Sequence, residues 1–168
     1  MEDPRDRLVA LARPVRHEAN NLLAALSGTA ELMLRSRDAT ARDIARAERL
    51  RDAAGRLQAL LHAYLALGAP PPQGTPPATV LETMRPLARL AFGTGLAVEV
   101  EAMAGLPPLP VGQLQAAILR LAQDAGALAA PDSGLRLTLD AARGGALLTA
   151  TPVPTGPTLP AVFVPAVP

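Results

Sequence analysis

One packet in this 168-residue chain brings chemically active side chains together: His17, Glu18, Ala19, Asn20, Asn21. A carboxylate adjoins the imidazole and a carboxamide sits one turn further on, so that imidazole, acid and amide share one accessible patch. On a helical wheel with His17 at zero, Arg13, Asn20, Asn21, Ala24, Gly28 and Glu31 fall within roughly 60° of it. The histidine therefore lies on a polar, small-residue face. A lone exposed histidine is usually only a solvated helix residue; acid and amide beside it make this one a candidate site. Arg13 and Arg16 flank it and could meet an acidic partner, although a solvated arginine face explains them equally well. Ala24 and Gly28 would let another helix approach closely, whereas Glu31 reads as surface and His62, with no such neighbourhood, as structural.

Composition narrows the chemistry further. The chain has no cysteine and two histidines, which excludes disulfides, thiol nucleophiles, thiolate zinc sites and iron–sulfur clusters. A formal charge of +1 and 2% aromatic residues argue against nucleic-acid binding, which needs basic surface and stacking rings. All basic residues are arginine and alanine, leucine and proline abound, the bias of a GC-rich genome. The start, MEDPRDR, lacks the order of a signal peptide, and no apolar run reaches the ~18 residues of a membrane span. The apolar tail from Thr151 to Pro168 is interrupted by proline throughout. A soluble cytoplasmic protein with no membrane or nucleic-acid partner is expected.

The elements that must position His17 follow from periodicity. Leu8, Leu11, Val15, Leu22, Leu26 and Met33 recur every three, four or seven residues and centre roughly 150° from His17, predicting a helix with one apolar stripe. After a break at Ser36 to Thr40, Ala47, Leu50, Ala54, Leu57, Leu61 and Tyr64 keep a three-four spacing, the seam of bundle helices. Residues 1–68 should thus form an antiparallel helical hairpin with arms of roughly 40 Å. Two helices alone bury little, so a twofold homodimer closing a four-helix bundle is the simplest completion.

Residues 69–78 form a proline-rich linker inside GAPPPQGTPPA. Beyond it, 79–168 read as a helix at 79–92, a strand at 96–102, a helix at 112–130, and strands at 136–140, 146–150 and 161–164. The fold class is α+β, with helices on one face of a short mixed or antiparallel sheet.

The segment LARPVRHEANNLLAALSGTAELMLR resembles the dimerisation and phosphoacceptor helix of two-component sensor histidine kinases. The match is His17, Glu18, two further residues, Asn21, then Leu22 and Leu23. The resemblance implies that His17 accepts a phosphoryl group, that Glu18 holds the other ring nitrogen, and that Asn21 orients water in the reverse, dephosphorylating task. It further implies partner contacts through Arg13, Arg16, Asn20, Ala24 and Gly28.

The second part resembles that family's ATP-binding module and departs from it. Two asparagines four apart, which meet nucleotide and Mg²⁺ in the family, correspond here to Arg120 and Asp124, and TPVPTGPTLP stands where a glycine-rich adenine loop is expected. There is no room for a lid or a second glycine-rich loop before LPAVFVPAVP. The expectation is a degenerate kinase-like sandwich without its nucleotide site. The implied function is a histidine phosphotransferase relaying phosphoryl groups between receiver-domain aspartates through His17. It would have no cofactor or metal of its own, Mg²⁺ belonging to the receiver, and its partners would be response-regulator receivers and a hybrid or cognate histidine kinase. The alternatives are a response-regulator phosphatase using Glu18 and Asn21, or a non-catalytic dimeric adaptor of such a pathway.

Overall fold

The computed structural model describes residues 4–36, 38–68, 74–93, 97–130, 132–154 and 156–167, with side chains from Arg16 onward except that of Glu18. The side chains of Leu8, Leu11, Arg13 and Val15 thus lie outside the described residues, as do residues 69–73 of the linker. The chain is α+β, with four helices and a four-stranded mixed sheet among the described residues. It divides into two compact units, Met1–Ala69 and Pro70–Pro168.

The first unit holds α1 (Pro4–Arg35) and α2 (Ala41–Gly68), which pack on one another. The break between them is built by the sequence SRDAT. Ser36 N–H turns back to the Met33 carbonyl, and Thr40 caps α2, its hydroxyl accepting from Asp43 N–H at 3.3 Å. Asp43 Oδ2 in turn accepts from the Thr40 N–H at 3.2 Å and from its hydroxyl at 2.6 Å, a reciprocal capping box with aspartate at the third position.

The face buried between these helices differs from the expected one. On α1, Leu23 and Ala30 are buried, and Arg16, Ala19, Ser27 and Leu34 are half-buried, a three-four spacing turned roughly 80° from the apolar stripe. Of that stripe, Leu22, Leu26 and Met33 are exposed, Leu22 by 59%. On α2 the seam splits: Ala47 and Ala54 are buried and Leu61 half-buried, while Leu50, Leu57 and Tyr64 stay exposed, Tyr64 by 64%. Small residues on both inner faces explain the choice, because alanine and serine let two backbones approach closely. Bulky side chains are left pointing elsewhere. Ala63, buried on another side of α2, belongs to neither set.

In the second unit, α3 (Pro77–Phe92) precedes β1 (Val98–Ala102), then α4 (Val111–Leu128), β2 (Gly134–Ala142), β3 (Gly145–Val153) and β4 (Val162–Pro165). Pro77 starts α3 where a missing N–H costs nothing, and Gly93 ends it with φ of 84°, its N–H bonded to the Arg89 carbonyl. Pro86, which the helical reading of 79–92 had to tolerate, sits inside α3 without ending it. Strand order is β1-β2-β3-β4. The pair β1–β2 is parallel, with α4 as the crossover, and the other two pairs are antiparallel.

Alternation along the strands sorts the sheet into two faces. Leu135, Leu137, Leu139, Ala146, Leu148, Ala150 and Val164 are buried, as are Leu81, Met84 and Phe92 of α3 and Leu114, Ile118 and Leu121 of α4. The two helices pack tightly, since a Cβ at Gly126 would collide with the Phe92 carbonyl. The other face carries Glu99 paired with Arg136 at 2.8 Å and, one register step on, the bonded hydroxyls of Thr138 and Thr149. A two-layer unit with one wet sheet face results.

Candidate functional site

The middle of α1 presents the histidine. An uninterrupted helix from Pro4 to Arg35 places His17 about four turns from its start, and the alanine-rich seam, by drawing Leu23 and Ala30 inward, rotates His17 out. The ring is exposed. Asn21, one turn further, is exposed too, and its amide Nδ2 lies 3.1 Å from His17 Nδ1. That spacing is what the helix dictates, because residues four apart share a face. Asn20, Ala24, Gly28 and Glu31 are all exposed on the same side of α1. Nothing would touch a Cβ at Gly28, so this stretch is open to an approaching surface. Glu31 lies 3.9 Å from Arg35 in a loose solvated pair.

Arg16 is oriented differently from the other candidates. It is half-buried on the inner face of α1, roughly 100° from His17, and its Nε is buried with no hydrogen-bond partner among the described residues. Arg13 and Glu18, expected beside the histidine, have side chains outside the described residues. What the sequence reading did not anticipate is the occupant of Nδ1: that ring nitrogen meets the Asn21 amide, a contact readable in principle from the i, i+4 spacing of an imidazole and a carboxamide.

Comparison with protein-family models and with curated proteins finds no match for this chain.

Arg120 and Asp124 face solvent on α4 and pair with each other at 3.7 Å. After β3, the chain returns to β4 through residues 154–161, with Leu159 N–H bonded to the Ala150 carbonyl and the Thr151 hydroxyl donating to that of Thr158 at 3.1 Å. An open groove of about 290 Å³ runs along Ala97, Glu99, Gly134, Leu135, Val153 and Pro154. Its one carboxylate is already engaged by Arg136. Among the described residues no three histidine or carboxylate side chains gather as a metal site, and no helix is long and apolar enough to cross a membrane. His62 is exposed on α2 with no carboxylate or amide partner among the described residues.

Proposed function

We propose that the chain is a dimeric histidine phosphotransferase, carrying phosphoryl groups between receiver-domain aspartates on His17. The observation that supports it most is the exposure of the His17 ring on α1, with Nε2 free of a protein partner among the described residues. In the transfer, with the ring proton on Nδ1, the Nε2 lone pair attacks phosphorus in line with the aspartyl oxygen. The N–P bond forms, the P–O bond breaks, and its electron pair returns to the receiver carboxylate. Charge on the transferred group is met by Mg²⁺ held in the receiver.

Dimerisation is part of the same reading. Leu22, Leu26 and Met33 on α1, and Leu50, Leu57 and Tyr64 on α2, form exposed apolar stripes roughly 80° and 60° around each helix from the buried seam. Helices in a four-helix bundle need two such faces at about a right angle, one for each neighbour. A second copy of this antiparallel hairpin, related by a twofold axis, supplies complementary stripes and leaves His17 on the outside. The second unit then serves as a kinase-like sandwich used for docking rather than for nucleotide, consistent with the short 154–161 connection and the Arg120–Asp124 pair.

A phosphatase is the second reading, favoured by one feature. Donation through Nδ2 leaves the Asn21 carbonyl oxygen free to accept from an attacking water beside the same face. Incubation with isotopically labelled, phosphorylated receiver domains separates the two. A relay moves label onto His17 and from there to a second receiver. Release of inorganic phosphate with no protein-bound intermediate supports the phosphatase, and unchanged activity of His17→Ala supports an adaptor.

A further inference from the structure

The two edges of the sheet differ in what their backbones offer. The Ala97 carbonyl accepts from Leu135 N–H, and Met103 N–H donates to the Leu139 carbonyl, so the odd-numbered residues of β1 aim their backbone groups at β2. Because these groups alternate along a strand, the N–H and C=O of Val98, Val100 and Ala102 aim the other way. Among the described residues no strand lies on that side, β1 standing at the end of the sheet order. Val100 and Ala102 are only half-buried there, whereas Leu137 and Leu139, their register partners on β2, are fully buried. The opposite edge is protected. Ala166 N–H bonds to the Gly144 carbonyl, which turns the backbones of Phe163 and Pro165 outward from β4, and proline has no N–H to give an incoming strand.

We propose that the free edge of β1 docks an extended polypeptide segment with Lys or Arg at alternate positions, added antiparallel to β1 as a further strand. Backbone hydrogen bonds supply the affinity in this mode of recognition, and side chains choose the partner. On the wet face of the sheet, Glu99 and Glu101 of β1 and Asp140 of β2 are exposed. Arg136 is the one basic residue on the described strands. Its Nε and Nη2 both reach Glu99 Oε2, at 3.0 and 2.8 Å, from the β2 side. Three carboxylates thus share one guanidinium, and among the described residues no cation stands beyond β1. A second copy of the strand fits badly, because antiparallel pairing centred on Val100 sets Glu99 opposite Glu101, carboxylate against carboxylate. Lys or Arg at those places reverses the sign. The glutamates therefore reject self-pairing and admit a basic strand. The open groove of about 290 Å³ begins on the same strand at Ala97 and Glu99, an apolar recess at the end of the docked segment. Docking of this kind is independent of the chemistry at His17.

The test uses the full-length chain and two labelled synthetic peptides, one alternating valine with lysine and the other valine with glutamate, followed by fluorescence anisotropy at low ionic strength. The lysine peptide should bind saturably, and about tenfold or more tighter than the glutamate peptide. Glu101→Lys should erase most of that preference. Val100→Pro removes an outward N–H while leaving the β1–β2 ladder whole, so it should abolish binding with the circular-dichroism spectrum unchanged. Amide hydrogen exchange reads the edge without any variant. Val98, Val100 and Ala102 should exchange fast in the free chain and slowly with the lysine peptide bound, while Leu137 and Leu139 stay slow throughout. No saturable binding of the lysine peptide, equal binding of both peptides, binding that survives Val100→Pro, or edge amides already protected in the free chain overturns the proposal. Each of these results leaves the phosphotransfer reading of His17 untouched.

Discussion

Arg120 Nε lies 3.7 Å from Asp124 Oδ2 across one turn of α4, so the carboxylate that would be the obvious metal ligand on that helix has a guanidinium for company. A fixed cation beside it opposes a divalent metal and fills space that small amides would leave open. The purified chain should therefore show no saturable MgATP binding by calorimetry and take no label from the γ-phosphate of ATP. Because both partners are exposed, the pair itself adds little to stability. Arg120→Ala should move the unfolding free energy by less than about 0.5 kcal/mol.

The outward leucines of the first unit make a stronger demand. Leu22 and Leu57 are 59% and 52% exposed in the single chain, on helices whose inner faces are already occupied. Burying each such leucine is worth about 1.5–3 kcal/mol, counted twice in a symmetric dimer. Leu57→Glu should therefore weaken self-association at least a hundredfold by sedimentation. Helical content should persist, since the α1–α2 seam is untouched. A wild-type chain that stays monomeric at high concentration would remove the bundle from the account.

Two glycines should respond with opposite sign. At Gly126 a Cβ meets the Phe92 carbonyl, so Gly126→Ala forces α3 and α4 apart and should cost about 1–3 kcal/mol in chemical denaturation. At Gly28 nothing stands within contact of a Cβ, and Gly28→Ala should stabilise α1 by roughly 1 kcal/mol. If Gly28 is where a receiver helix approaches, the same substitution should slow transfer while raising the melting temperature.

The Thr40–Asp43 box gives the chain an acid-sensitive helix start. Hydrogen bonds from the Thr40 hydroxyl and backbone N–H, helped by Arg46, hold the Asp43 carboxyl below its ordinary 3.8. A carboxylate whose folded value lies below its unfolded one contributes stability that is present above the unfolded value. That contribution is lost as pH falls through the folded value. Helix content of the first unit should decline on that acid limb, and Asp43→Asn should flatten this part of the profile in a circular-dichroism titration.

How far the sequence revealed this molecule depended on which physical signal was local. The break at Ser36–Thr40 was legible because turn and capping residues act through their own backbone, and strands such as 136–140 and 146–150 were legible because alternation is a property of the strand itself. Strand ends were less so: β2 and β3 each extend beyond the apolar core of the run, because a long antiparallel ladder from Gly134 to Val153 recruits flanking residues by pairing alone. The stripes of Leu22, Leu26, Met33, Leu50, Leu57 and Tyr64 were legible as apolar faces, while the seam that α1 and α2 bury between them, with Leu23, Ala30, Ala47 and Ala54, was not. Hydrophobicity marks a residue that wants burial without saying by which neighbour, and close packing of the pair favours alanine over leucine. At the site, the outward face of His17 followed from the wheel. Its bond to Asn21 depended on side-chain rotamers that no spacing rule specifies.

The most direct measurement is to locate phosphorus after a brief mixing of the chain with a phosphorylated receiver domain, by mass spectrometry under neutral conditions that preserve phosphohistidine. The account predicts an acid-labile phosphoryl group on His17, discharged by adding a second unphosphorylated receiver and absent from His17→Ala. Receiver dephosphorylation proceeding equally well in His17→Ala, or phosphoryl appearing on another residue, would contradict it.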